Sequence, residues 1–198
     1  MKARLWLVAA AAAVLVVSLI GISAAAPPQG GDQVGAPANT GNAELDRVIQ
    51  GYKIAPVPLI KKGRDKNLLG LGSYIVNAQA ACNDCHTNPP FAPGGNPYRG
   101  EPKQINVAGY LAGGRVFPTE DGGTVTSANI TPNDEGLPAG LTFAEYRQLI
   151  RTGHDPDEPD EILQVMPWPV FQDMNDHDIR AIYEYLRSIP SIETGREE

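Results

Sequence analysis

The only two cysteines of this chain stand three positions apart, in CNDCH from Cys82 to His86. That spacing limits what can hold the fold together. Two cysteines this close cannot supply the long-range disulfides with which a small domain often makes up for a limited hydrophobic core. The pair can serve as a redox dithiol, as part of a metal site, or as an attachment point for a larger group. Each use needs different surroundings, so the rest of the chain has to discriminate.

Dithiol exchange normally comes on a strand–helix scaffold, and no alternating strand pattern precedes Cys82. Tetrahedral zinc needs four ligands. Cys82, Cys85 and His86 supply three at most, and His86 is directly beside Cys85. The remaining reading uses the whole motif, because C-x-x-C-H is the attachment signature of c-type haem. Two thiols are spaced for thioether bonds to the two vinyl groups, and the histidine can offer its Nε2 to the iron. Asn83 and Asp84 are permissive spacers. A covalent haem also gives a short chain a large apolar object to fold around.

The amino terminus supports export. MKAR is followed by an uncharged run of 18 residues from Leu5 to Ile22, then by SAAA with Ala24 and Ala26 placed for cleavage. This is the order of a secretory signal, although the run also reaches the lower limit for a membrane span. Residues 1–26 therefore read as a signal peptide or as an uncleaved anchor to the inner membrane, and the expected location is the periplasm. Cleavage after Ala26 would take the net charge from -7 to -9, since 16 basic residues become 14 against 23 acidic ones. Such an acidic chain has no attraction for nucleic acid, and solubility is the simpler reading of its charge.

Residues 27–66 read as a leader and flexible extension. PPQGGDQVGAPANTGNAE is rich in Pro, Gly and small polar residues, and the prolines of APVP argue against a long helix after it. NLLGLGSYIVNAQAAC reads as a helix leading into CNDCH, with Leu68, Leu71, Ile75 and Ala78 on its buried face. Gly70 and Gly72 either admit a second helix closely or fray the first turn. Pro89 to Gly140 is crowded with Gly and Pro, long enough to cover the edge of a cofactor. GGRVFPTEDGGTVTS can form a small hairpin around Asp121–Gly123.

Two helices close the chain. In LTFAEYRQLIRTG, Thr142 and Glu145 have capping-box spacing, and Gly153 can end the helix. In MNDHDIRAIYEYLRSIP, Asn175 is the cap, Asp176 and Asp178 stand in the first turn, and Ile179, Ile182, Tyr183, Leu186 and Ile189 form the apolar stripe. The expected fold class is all-α, with helices packed around one haem c and long Gly/Pro-rich loops. Residues 67–190 are the domain and 191–198 a polar tail.

An iron that cycles electrons without binding a substrate needs a ligand opposite His86, and thioether ligation favours the reduced state. Met166, in VMPWPVF, is the first choice because two prolines stiffen an extended stretch around it. Met174, at the lip of the last helix, His154, His177 and an open position are the alternatives. Phe91, Trp168 and Phe171 read as haem-pocket or core packing, with Trp168 also weighed as an exit for electrons. Arg99, Lys103 and Arg115 are candidates for propionate contacts or plain solvent-facing charges.

With these segments in order, the chain resembles a class I c-type cytochrome. It is most similar to a single haem unit of the membrane-bound alcohol, aldehyde and gluconate dehydrogenase cytochrome subunits. The resemblance runs through GLGSYIVNAQAACNDCHT, YLAGGRVF, TSANITPN, LTFAEYRQLIRTGHDPD and MPWPVFQDMNDHDIRAIYEYLRSIP. It implies the class I cytochrome c fold, haem-linked Cys82 and Cys85, and iron held axially by His86 and Met166. It also implies a crossing of the first and last helices near Gly72 and Tyr183, with Ala128–Asn133 in the loop over the haem. Those subunits usually carry three haem units, whereas this chain has one CxxCH.

The resulting expectation is a monohaem carrier that is not an enzyme by itself. It would perform outer-sphere electron transfer between exported or membrane-bound redox proteins, such as a dehydrogenase or a terminal oxidase. The alternatives are a small haem subunit of a dehydrogenase or other oxidoreductase complex, a peroxidase-like or gas-sensing haem protein, and a haem-free dithiol or metal-binding module.

Overall fold

A computed structural model describes residues 40–193. Residues 1–39, with the expected signal or anchor segment and the start of the expected leader, lie outside the described residues, as do the last five of the tail. The described part is predominantly helical, with six α-helices and one two-stranded hairpin.

The first helix, α1, spans Thr40–Ile54, inside the segment whose composition predicted a flexible extension. The first proline after its start is Pro56, so the APVP prolines stop this helix without interrupting it. Burial comes from contact with the next helix rather than from a strong stripe. Val48 is buried, while Leu45 and Ile49 remain exposed. Beyond α1 the chain runs along the end of the last helix, where the Ile60 amide donates to the Ser188 carbonyl at 2.7 Å.

Helix α2, Lys66–Tyr74, starts on Asp65, whose carboxylate accepts from the Asn67 and Leu68 amides. Its two glycines face two different neighbours. A Cβ on Gly70 would meet the Val48 carbonyl oxygen of α1 at 2.6 Å, and one on Gly72 would meet the Ala181 carbonyl oxygen at 1.9 Å. The glycines therefore serve close packing and not fraying, and α2 is held between its neighbours by backbone contact. On α6 the residues nearest Gly72 are Ala181 and Tyr185, which flank Tyr183 in sequence.

After Tyr74 the helix widens into a π turn, Ile75–Gln79. A π turn takes more residues per revolution, so it rotates the next residues around the axis. Leu69, Leu71, Ile75 and Val76 are fully buried, whereas Ala78, placed on the buried face by a 3.6-residue period, is exposed. The turn carries Asn77 inward to the Tyr110 and Tyr185 hydroxyls. Tyr110 donates to Asn77 Oδ1 at 2.6 Å, Asn77 Nδ2 donates to Tyr185 at 3.2 Å, and the two hydroxyls are 2.9 Å apart. A buried ring of three polar groups is satisfied in this way. Ala81 then takes a left-handed conformation (φ 52°) and the short helix α3, Cys82–His86, begins.

The long Gly/Pro-rich segment after α3 folds back on it. The Gly113 amide donates to the His86 carbonyl at 2.7 Å, and the Leu111 amide to Thr87 Oγ1 at 2.9 Å. Strands β1, Val116–Pro118, and β2, Thr124–Thr126, pair antiparallel with Phe117 opposite Val125, forming the expected hairpin.

Helix α4, Phe143–Thr152, has the expected capping box between Thr142 and Glu145 and ends at Gly153 with φ 72°. Helix α5, Trp168–Phe171, is a single turn within MPWPVF, where an extended stretch was expected. Pro169 falls in its first turn, where a missing amide hydrogen leaves no bond unmade. Helix α6, Asp176–Leu186, is capped by Asn175. All five residues of its predicted stripe are buried, together with Ala181 and Tyr185, which face α2.

Candidate functional site

The cysteine motif opens on a cavity of about 740 Å³, within the range of cofactor pockets. Cys82, Cys85 and His86 contribute to its lining. So do Leu141, Tyr146, Leu149 and Ile150 from α4 and its entry, Met166, Phe171 and Met174 from around α5, and Ile182 and Leu186 from α6. The long Gly/Pro-rich segment adds Phe117 and residues 125–130. Asp155, Asp157, Glu158 and Glu161 bring negative charge to the same space. Cys82, Cys85, His86 and Met166 are each partly uncovered by protein because they face this cavity.

The histidine is oriented by its other nitrogen. His86 Nδ1 lies 2.8 Å from the Ala128 carbonyl oxygen, to which it donates as Nδ1–H. Burial lowers its pKa and the bond to Ala128 opposes that shift. The outcome is a neutral imidazole whose Nε2 is left free to act as an acceptor or ligand, the arrangement usual for metal-bound histidine. Ala128 opens the ANITPN segment, so that stretch does reach the site.

The thiols have the opposite character from those of a redox dithiol. Cys82 and Cys85 are not joined as a disulfide. Burial, with the neighbouring Cys85 adding to it, pushes the Cys82 thiol up to about 12, and burial raises Cys85 as well. Disulfide exchange needs a lowered thiol pKa, which this environment does not provide. Among the described residues no group of three or more His, Cys, Asp or Glu side chains is arranged to hold a metal ion.

Of the other residues singled out in the sequence, several lie elsewhere. His154 Nδ1 is 3.1 Å from the Glu161 carbonyl oxygen and His177 Nε2 is 3.3 Å from Glu44, and neither lines the cavity. Phe91 is buried edge-on to Tyr98 at 6.2 Å, packing the loop and not the cavity. Trp168 lies against Gly153, where a Cβ would meet its ring at 2.4 Å, and its indole N–H donates to the Leu163 carbonyl at 3.1 Å. Arg115 donates to the Asp84 carbonyl and stacks 5.1 Å over Phe117, while Arg99 and Lys103 are exposed. Sequence reading passed over Tyr146 as an element of the site. Its place on the buried face of α4 was the only signal.

Comparison with known proteins agrees with this geometry. Over 122 residues the chain is 31% identical to "Alcohol dehydrogenase (quinone), cytochrome c subunit" of Gluconobacter oxydans, a match covering 62% of this chain and 21% of that protein. The protein of the same name from Gluconacetobacter polyoxogenes is 29% identical over 147 residues, covering 74% of this chain and 26% of the relative. The chain resembles one haem unit of a dehydrogenase cytochrome c subunit. It also matches a nicotinate dehydrogenase subunit of Pseudomonas putida, 35% identical over 77 residues, 39% of this chain and 6% of that one. No protein-family model matches the chain. It spans about a fifth to a quarter of the length of its cytochrome c subunit relatives.

The residues present fit the haem that this resemblance implies. The walls are mostly apolar, two thiols and a free imidazole nitrogen stand together, and two thioether sulfurs, from Met166 and Met174, share the same space.

Proposed function

We propose that this chain is the haem-bearing electron-transfer unit of an exported dehydrogenase or related oxidoreductase complex, and is not itself a catalyst. The observation that carries the reading is the apolar cavity on which CNDCH and Met166 converge, with His86 already oriented by Ala128. The names of the relatives favour a complex subunit over the freely diffusing carrier that the sequence first suggested.

Haem c held there supplies a one-electron couple. Cys82 and Cys85 would hold it covalently, His86 and Met166 would be its axial ligands, and the fold would be that of a class I cytochrome c. The chain's own part would be to offer that group the His86 imidazole and the Met166 thioether, to exclude water with Leu141, Ile150, Phe171, Ile182 and Leu186, and to hold the imidazole neutral and oriented through Ala128. Residues 1–26 would carry the chain to the periplasm and either leave it there or anchor it. Among the described residues no helix is long and apolar enough to cross a membrane.

Protein matured with the covalent haem-attachment machinery should give a pyridine haemochrome spectrum with one haem per chain, and a positive midpoint potential in redox titration. Co-purification with a dehydrogenase subunit would establish the assembly. A haem-free product with two titratable thiols would sink the reading. High-spin ferrous iron that binds carbon monoxide rapidly would favour the peroxidase-like or gas-sensing alternative.

A further inference from the structure

We propose that a polar cleft on the face of α6 opposite the cysteine motif's cavity binds an acidic segment of a partner protein through its Asp or Glu carboxylates. The inference is independent of the haem reading, because the cleft shares no lining residue with the cavity beside CNDCH.

The cleft has a volume of about 440 Å³ and lies between the entry to α2 and α6. Arg180, Glu184 and Arg187 recur every three or four residues on one face of α6, whereas Ile182 and Leu186, which line the other cavity, fall on the opposite face. Lys62 and Arg64 join them from the segment before α2, so four cations stand against two carboxylates. Both carboxylates already have partners. Asp65 caps α2, and Glu184 lies 3.3 Å from Arg64 and 3.7 Å from Arg180 and from Arg187. The donors are spent less completely. Arg64 donates to Glu184 and to the Arg187 carbonyl, and Arg187 uses Nε on the Gly136 carbonyl. Among the described residues Arg180 donates no hydrogen bond, since its approach to Glu184 is longer than one. Two guanidinium planes are nevertheless held in place, Arg180 4.2 Å over the Phe143 ring and Arg187 5.8 Å over the Tyr183 ring.

A guanidinium fixed in place with unused donors is suited to oxyanions, because the planar fork is organised before the ligand arrives. Solubility does not require such side chains to converge, and convergence raises their mutual repulsion. Glu184 offsets that repulsion in part, and carboxylates from outside complete the compensation. Its presence among the arginines also shows that the geometry accepts a carboxylate. The space exceeds what one inorganic anion fills, and Leu68 is its only apolar side chain, so an acyl chain or aromatic base finds no wall to pack on. A flexible run of acidic side chains fits both the size and the polarity. The rest of the chain, with a net charge of -7, repels such a run, which confines it to this cleft. A partner tethered there leaves the cavity beside CNDCH unoccupied.

Hexaglutamate titrated calorimetrically into the full chain at low ionic strength tests the proposal. The expected result is binding that weakens several-fold in Arg180→Gln and in Lys62→Gln, and tightens several-fold in Glu184→Gln, which removes the competing carboxylate. A purely structural role for these residues would not give opposite signs. Lys103→Gln, which changes an exposed cation outside the cleft, should leave the affinity unchanged. Absence of binding overturns the inference, as does an Arg180→Gln variant that binds like wild type. Equal weakening by Lys103→Gln and Arg180→Gln also overturns it, because the attraction then comes from overall charge. Binding of inorganic phosphate or of phosphatidylglycerol vesicles, without binding of hexaglutamate, overturns it in favour of a phosphate site. Should Glu184→Gln fail to fold, the contrast of Arg180→Gln and Lys62→Gln with Lys103→Gln decides.

Discussion

A Cβ on Gly72 would lie 1.9 Å from the carbonyl oxygen of Ala181, so α2 and α6 meet backbone to backbone. Helix propensity alone favours Gly72→Ala by about 1 kcal/mol. Overpacking typically costs about 1–3 kcal/mol or more, and the atom struck here is backbone, which cannot rotate aside. Taking the upper end of that cost less the propensity gain, Gly72→Ala should therefore lose about 2 kcal/mol net, read as a lower urea or thermal midpoint of the haem-loaded protein. A variant as stable as wild type would mean that the helices do not touch there.

Gly51→Ala asks the same question of α1. Its new Cβ would lie 1.8 Å from the Gly70 carbonyl oxygen, so a loss of similar size, about 2 kcal/mol, is expected. If residues 40–54 were instead a flexible extension, this substitution would leave the unfolding midpoint unchanged.

Glu184 pairs with three arginines. Arg64 lies 3.3 Å from its carboxylate, and Arg180 and Arg187 each 3.7 Å away. The carboxylate is largely buried, 16% exposed. Glu184→Gln should destabilise by about 1–3 kcal/mol. The loss should shrink as salt screens the arginines from one another. Equal losses at low and high ionic strength would argue against a role for charge.

Asp176 ties α4 to α6 at the surface. Hydrogen bonds from Arg147 and then Arg151 hold its carboxyl down at about 2, below the ordinary value of about 3.9. A depressed folded-state pKa stabilises above the unfolded value, and that stabilisation is lost as pH falls through the folded one. Acid unfolding between about pH 4 and 2 should accordingly be less steep in Asp176→Asn than in wild type. Added salt should narrow the difference, because the pair is exposed.

Met166 and Met174 both line the cavity, and one substitution at each separates them. Met166→Ala should abolish the ferric sulfur-to-iron band and lower the midpoint potential, since a thioether ligand favours ferrous iron. Met174→Ala should keep the band and lose about 2–3 kcal/mol of packing. The reverse outcome would move the axial role to Met174.

Local chemistry was legible wherever one segment decides its own conformation. Thr142 with Glu145, Gly153 and Asn175 mark the limits of α4 and α6 because caps depend on residues three or four apart. The hairpin at Asp121–Gly123 was readable for the same reason. Helix α1 was not, because its composition is that of a linker and its burial comes from Gly70 on another helix. Ala78 was misplaced because a π turn breaks the period used to place it. MPWPVF was read as extended because proline's tolerance of a first helical turn leaves no periodic signal.

The sequence by itself determined the chemistry on offer. CNDCH holds two thiols and an imidazole within five residues, and covalent spacing is a property of the chain alone. Tertiary structure decided which distant groups complete the site. The Ala128 carbonyl reaches His86 across 42 positions, and Met166, Met174 and Tyr146 share one cavity with the cysteines. No local rule encodes those meetings. They depend on how distant segments pack, as where α2 lies against α6 at Gly72, a contact set by the missing side chain of one residue and the backbone of another.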